Sequence, residues 1–395
     1  MFTYVSTRSS LWMKRLLLLA IFITSTTLFV QGQNKVPAKL PKSIHSGSQG
    51  KFHVQGVAVD QENGFVYFSF TDKLVKTDLK GNLIGSVTGF VGHLGDLDYD
   101  SERGVVYGSL EYKNDAIGQG ITETLGQKNK NQVGFYIAVF DVSRISRINM
   151  DAEKEDVLKT VYLREVVEDY QAEVSVNGKT MKHRFACSGI DGLTLGPAVG
   201  TQTGNKRYLY VAYGIYGDTT RNDNDHQVIL QYDLEQWDEL GQQLSQNDLH
   251  QSGPDKPRDK FFVRTGNTTY GIQNLAFDPY SGHFFAAVYK GRKSSYPNYS
   301  LFVIDGQKKP LRSSVISDDT SIEVKKLSLV QAGLQDESTG IRGWHFKWGT
   351  TGMEPLGHGY FYLSHPKKTE DGQQTATLQK YKWMGNKSES FQLAK

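Results

Sequence analysis

Acidic and amide side chains that stand singly at the head of apolar runs, each in a different part of the chain, are the first candidates for chemistry. Asp96 opens DLDYD, Asp191 opens DGLTLG, Asn274 opens NLAFD, and Glu354 sits within GMEPL. Hard oxygen donors brought to one point would suit Ca²⁺, which accepts several carboxylate and carbonyl oxygens at flexible geometry. The competing reading is that they are turn residues, because Asp and Asn commonly close turns on nearby backbone N–H groups. Two histidines occupy similar places, His53 ahead of VQGVAVD and His93 ahead of LGDLDYD, where an imidazole could act as a general base near neutral pH. They would serve equally as polar lining, since no Ser or Cys stands beside them in a nucleophile motif. RGWHFKWGTTG adds Trp344, His345 and Trp348, aromatic faces that could stack on a sugar or base ring, with a place in a core as the alternative for the tryptophans.

For such residues to meet, separate segments must converge, and the chain repeats itself in a way that would do this. A short apolar run, a turn and a second aromatic-rich run recur as QGVAVD/FVYFSF, GDLDYD/VVYGSL, DGLTLGP/RYLYVAYG, QNLAFDP/HFFAAVY and TGMEPL/YFYLSH, the turn being longer in the third. A third run follows each copy: LVKTDL, IAVFDV, VILQYDL, LFVIDG and TLQKYKW, with Asp78, Asp141, Asp233 and Asp305 at one place in four of them. With a weaker fourth run, each copy reads as a four-stranded antiparallel meander. One such sheet cannot bury both faces, so the copies are expected to pack radially as an all-β propeller with a central channel. The rival arrangement is a pair of β-sandwiches. Five motifs imply five blades, and the hairpin-like stretch 170–185 is either an insertion or part of a sixth.

GVAVD…GFVYFSF…KTDLKGNLI and NLAFDP…GHFFAAVY resemble the blades of secreted six-bladed propellers of the NHL-repeat, gluconolactonase and strictosidine-synthase kind. The resemblance covers most of the chain after about His53, as blade grammar, and implies a fold rather than an activity. In propellers of this type the first strand of each blade lines the channel. Aligning the copies places His53, His93, Gly189, Gly271 and Gly349 on one rim, then Gln55, Gly95, Asp191, Gln273 and Thr351, then Gly56, Asp96, Gly192, Asn274 and Gly352. Gluconolactonase-like propellers hold a metal with Glu, Asp and Asn from different blades, which makes Asp96, Asp191, Asn274 and Glu354 the expected axial site for Ca²⁺. No other cofactor is implied.

The bulk figures narrow the partners. The 395 residues are 38% hydrophobic and 12% aromatic, enough for a large core, and the formal charge is only +3. No Lys/Arg block interleaves with aromatics, so nucleic acid has no electrostatic reason to bind. Lys14 and Arg15 precede an apolar stretch, 16–30, and VQG follows. This reads as a leader over 1–32, with an uncleaved anchor as the alternative. A linker over 33–52 and a single propeller over 53–395 would follow, secreted or periplasmic and with no membrane span in the mature chain. Cys187 has no cysteine partner in the sequence and reads as a small buried residue. Neither G-x-S-x-G nor a complete P-loop is present. Insertions at 111–132, 214–227 and 289–300 fall between the second and third runs of their copies, so they emerge on one face and would form a funnel. The expectation is ligand recognition there, of a glycan or peptide; the alternative is a calcium-dependent hydrolase acting on a lactone, ester or phosphoanhydride.

Overall fold

The computed structural model describes residue 1 and residues 40–127, 132–201, 206–386 and 389–395. The expected leader, 1–32, falls outside the described residues apart from Met1. The unit Ala38–Lys395 is a five-bladed β-propeller. Its inner strands are Val54–Asp60, His93–Asp100, Cys187–Gly196, Thr268–Asp278 and Met353–Gly357, and each packs against the next, the fifth closing on the first.

Each blade grows outward from its inner strand by antiparallel pairing. Blade one adds Phe65–Phe70, Lys73–Asp78 and Leu83–Thr88. Blade two adds Val105–Tyr112, Gly134–Asp141 and Leu158–Tyr162, and blade three adds Tyr208–Ile215, His226–Asp233 and Asp259–Arg264. Blade four adds His283–Lys290 and Leu301–Ile304, and its outer edge is reduced to single bridges from Trp344 and Leu329. Blade five adds Tyr360–Lys368 and Gln374–Trp383. The three runs read in every copy are therefore strands in the expected order. The stretch 170–185 is an insertion, a helix Arg164–Gln171 leading into the hairpin Glu173–Val176/Lys179–Lys182, which stands apart as its own two-stranded sheet.

The ring closes with a strand from the other end of the chain. Ser43–His45, within the stretch expected as linker, pairs with Gln374–Trp383 so that Ile44 faces Leu378. Ile44 is 2% exposed, and the Tyr362 hydroxyl donates to the carbonyl of Pro41 at 2.6 Å. Blade five is thus built from two segments far apart in the sequence.

Residue choice follows position. The strand Val54–Asp60 is buried at every residue, because blades cover both of its faces and alternation has no solvent side to serve. The Asp that recurs at the end of the third strand bonds the backbone N–H two residues on: Asp78 to Lys80 at 2.8 Å, Asp141 to Ser143 at 3.1 Å, and Asp233 and Asp305 to Glu235 and Gln307 at 3.2 Å each. Those aspartates hold the turn that leaves the third strand, and Asp141, Asp233 and Asp305 pair as well with Arg144, Lys206 and Lys308.

Candidate functional site

The inner strands begin at the mouth that also carries the long second-to-third-strand connections. Near this end four of them break register: between Val54 and Gly56, Leu94 and Leu97, Ile190 and Leu193, and Ile272 and Asn274. A bulge leaves a residue with no cross-strand partner and re-aims its side chain. The residues so released include Gln55, Asp191 and Gln273, and their side chains gather at the mouth.

There Gln273 donates from Nε2 to Asp191 Oδ2 at 2.9 Å and to the Tyr270 carbonyl at 3.0 Å. Gln55 Nε2 donates to Thr71 Oγ1 at 3.1 Å and lies 3.2 Å from His53 Nε2. His93 Nδ1 stands 3.4 Å from Glu111 Oε1 and 3.8 Å from Asp191 Oδ1. Glu111, 2% exposed, turns Oε2 to the backbone N–H of Ile190 at 3.0 Å and Oε1 to the Lys113 ammonium at 2.5 Å. Among the described residues His93, Glu111 and Asp191 are the one group of three whose donor atoms lie within 4.8 Å of one another.

Two glycines make room for these carboxylates. A Cβ on Gly189, whose φ is +125°, would sit 2.1 Å from Glu111 Oε2, and one on Gly214 would sit 2.7 Å from Asp191 Oδ2. Tyr270 takes a left-handed backbone with φ 62°, which presents its carbonyl to Gln273 and stands its ring edge-on to Tyr289.

Charges in the group shift one another. Burial and the like charge of Glu111 push the Asp191 carboxyl up to about 6, against the pull of His93 and Lys113. Burial disfavours the Lys113 ammonium, but Glu111, Asp115 and Asp191 outweigh it and hold the lysine above its usual range. His53 stands at the rim, where reduced solvation and the nearby His93 make it less basic than a free imidazole.

Two hollows flank the group. One, of about 280 Å³, runs from His93, Glu111 and Lys113 past Ile121 and Thr122 of the helix Ala116–Thr124 to Gln246. The other, of about 370 Å³, lies toward blade five between His53, Tyr289, Trp348 and Thr350.

Of the residues singled out in the sequence, His53, His93 and Asp191 meet at this mouth, with Trp348 on its flank. Trp348 stacks on His365, centroids 3.8 Å apart. Trp344 is elsewhere: it is 2% exposed, its Nε1 donates to the Asn386 carbonyl at 2.7 Å, and its ring packs edge-on against Trp383. It belongs to the core between blades four and five and cannot floor a funnel. His345 lies against Tyr299, ring centroids 5.0 Å apart.

The expected axial set of Asp96, Asp191, Asn274 and Glu354 does not converge. Asp96 Oδ1 accepts from its neighbour Leu97 N at 3.0 Å, and Oδ2 from Leu193 N at 3.1 Å and Leu275 N at 2.9 Å, so both oxygens are committed to amides of blades two, three and four. Asn274 Nδ2 donates to the Gln55 carbonyl at 2.8 Å, tying blade four to blade one. Glu354 lines a hollow with Asp98 and Thr194 where the inner strands end, at the opposite mouth, and burial with the charge of Asp98 raises its carboxyl well above the usual range. Asp96 and Asn274 are ties across the axis.

Glu111 and Lys113 were not singled out as site residues. The signal was Glu111 near the end of the otherwise apolar strand VVYGSLEY, with Lys113 directly after it where the insertion begins.

The fold defines a five-bladed propeller. No family model matches the chain, and no curated protein matches it. Solved structures similar to it include a GH43 β-1,3-galactosidase with galactodeoxynojirimycin, at 11% identity over 87% of this chain and 99% of that one, TM-score 0.37. Another is the holo form of the pyranose dehydrogenase PQQ domain from Coprinopsis cinerea, at 12% identity over 83% and 82%, TM-score 0.34.

Proposed function

We propose that the protein is exported and binds a small polar ligand, a glycan or peptide, at the mouth that carries its long loops. The observation behind this reading is the convergence of polar side chains from four blades, Gln55, His93, Glu111, Asp191 and Gln273, between two hollows. The flank with Tyr270, Tyr289 and Trp348 adds aromatic faces to hydrogen-bonding groups, a combination that holds a ring with hydroxyls on its edge. A glycan and peptide array read with labelled protein tests it. Wild type is expected to bind a defined set, and Asp191→Asn and Trp348→Ala to weaken that binding with melting temperature preserved. An array on which both variants bind as wild type does would refute the assignment to this mouth.

A second reading is hydrolysis of a lactone, ester or phosphoanhydride at the same place. What favours it is one imidazole facing two carboxylates at 3.4 and 3.8 Å, the composition of centres that move protons or polarise a carbonyl. Turnover on a hydrolase panel, abolished in Asp191→Asn, would establish it over binding alone.

A further inference from the structure

Spacing within the His93, Glu111, Asp191 group carries the argument. The separations of 3.4 and 3.8 Å from His93 Nδ1 exceed the 2.7–3.2 Å of a hydrogen bond. That nitrogen is buried and makes no hydrogen bond, and Glu111 Oε1, on a side chain 1% exposed, is paired with the Lys113 ammonium at 2.5 Å. Two tetrahedral ligands each about 2.1 Å from one ion stand roughly 3.4 Å apart. The second oxygen of each carboxylate is held away, Glu111 Oε2 by the Ile190 amide and Asp191 Oδ2 by Gln273. Outer contacts of that kind orient the free oxygen of a metal-binding carboxylate.

We propose that His93 Nδ1, Glu111 Oε1 and Asp191 Oδ1 hold a divalent first-row transition ion, Zn²⁺ or Mn²⁺, with its open side toward the hollow beside Lys113. The inference rests on the reading of this mouth as the binding site and adds the group that would grip the ligand there. An imidazole among the donors suits these ions; Ca²⁺ prefers oxygen alone and more of it. Three protein ligands leave a position for an oxygen of the bound ligand or a water. Lys113 is the built-in competitor, since its ammonium neutralises the same carboxylate that the ion needs. Asp115, 4.0 Å from Lys113 Nζ, is where that ammonium goes when the ion enters.

The lysine gives the test its sign. Metal-stripped protein is titrated calorimetrically with Zn²⁺, Mn²⁺ and Ca²⁺, and the Co²⁺ form is read by visible absorption, which reports coordination directly. Wild type is expected to bind one Zn²⁺ or Mn²⁺ per chain with a rise in melting temperature and Ca²⁺ more weakly. His93→Gln and Asp191→Asn lose about tenfold or more in affinity, whereas Lys113→Met gains about tenfold because a positive charge beside the ion is gone. Far-UV circular dichroism checks that each variant folds. Absence of Zn²⁺ and Mn²⁺ binding, tighter Ca²⁺ binding, or affinities indifferent to Asp191→Asn would overturn the ion. Array binding that survives chelation would overturn it too, while leaving the mouth as the ligand site; array binding indifferent to mutation at the mouth would remove the site itself.

Discussion

Replacing Asp96 by Ala removes the acceptor that three backbone amides share, and the cost can be worked from the structure. Two of the donors, Leu193 N and Leu275 N, belong to neighbouring blades and converge on one oxygen at 3.1 and 2.9 Å; the third, Leu97 N, is local. Asp96 is 2% exposed, and Gly56 of blade one packs so closely that a Cβ on it would lie 2.6 Å from the Asp96 Cα. Replacement partners are therefore lacking. Each buried donor left without an acceptor costs about 1–3 kcal/mol, so Asp96→Ala is expected to lose roughly 3–9 kcal/mol. That is a large share of the 5–15 kcal/mol typical of a folded domain. Asp96→Asn keeps a carbonyl oxygen for the two inter-blade donors and loses the charge and the local acceptor for Leu97 N, so it should fall short of the alanine loss. Equilibrium urea denaturation, comparing midpoints at a common m-value, reads both. An Ala variant within about 1 kcal/mol of wild type would refute the view that this carboxylate joins three blades. A loss that appeared only when calcium was present would restore the axial cation reading.

Three further outcomes follow. Gly189→Ala forces a Cβ to 2.1 Å from Glu111 Oε2 at a φ of +125°, so melting temperature and mouth-dependent binding should fall together, and retention of both would contradict the packing. His226 is held neutral by burial and by Lys326 and Arg264, its pKa lowered to about 3, and its Nε2 has no hydrogen bond. The unfolded chain takes up that proton below pH 6.5 and the folded one does not, so stability is full above pH 6.5 and declines as pH falls toward 3, by about 1.4 kcal/mol per unit from this group. Denaturation curves at pH 7 and 5 should show a drop of about 2 kcal/mol that His226→Gln largely abolishes. Deleting residues 40–46 removes the closing strand, exposes the face that Ile44 covers, and should cost at least about 3 kcal/mol, seen as a lower melting temperature and faster proteolysis.

The blades were readable because their pattern repeats. Each copy carries two apolar runs joined by a turn, four of the five add an Asp that closes the next turn, and those requirements are local enough to be written in consecutive residues. The rim alignment that put His53, His93, Asp191 and Gln273 on the mouth held for the same reason. Glu111 and Lys113 escaped because nothing in VVYGSLEYK says that Gly189, on the next blade, leaves room for a carboxylate. Asp96 and Asn274 were visible as polar residues at the axis, but a side chain that binds a cation and one that binds three amides have the same sequence signature; only the positions of Leu193 and Leu275 separate them. Trp344 shows the limit for aromatics, since a ring for stacking and a ring for packing are spelled alike. Ser43–His45 alternates over three residues only, too few to stand out in a sequence, and its partner strand lies more than 300 residues away.

That last pairing sets a rule of timing. The Ser43 hydroxyl and the amide of Gln379 approach each other across 336 positions of sequence. A ribosome delivers the first of them long before the second, so blades one to four can assemble in order while the ring stays open, its earliest segment waiting for a mate not yet made. Until the final strands arrive, the side that Ile44 will cover is bare and two sheet edges are free to pair with other chains, so the moment of greatest exposure to proteases and to self-association comes just before completion.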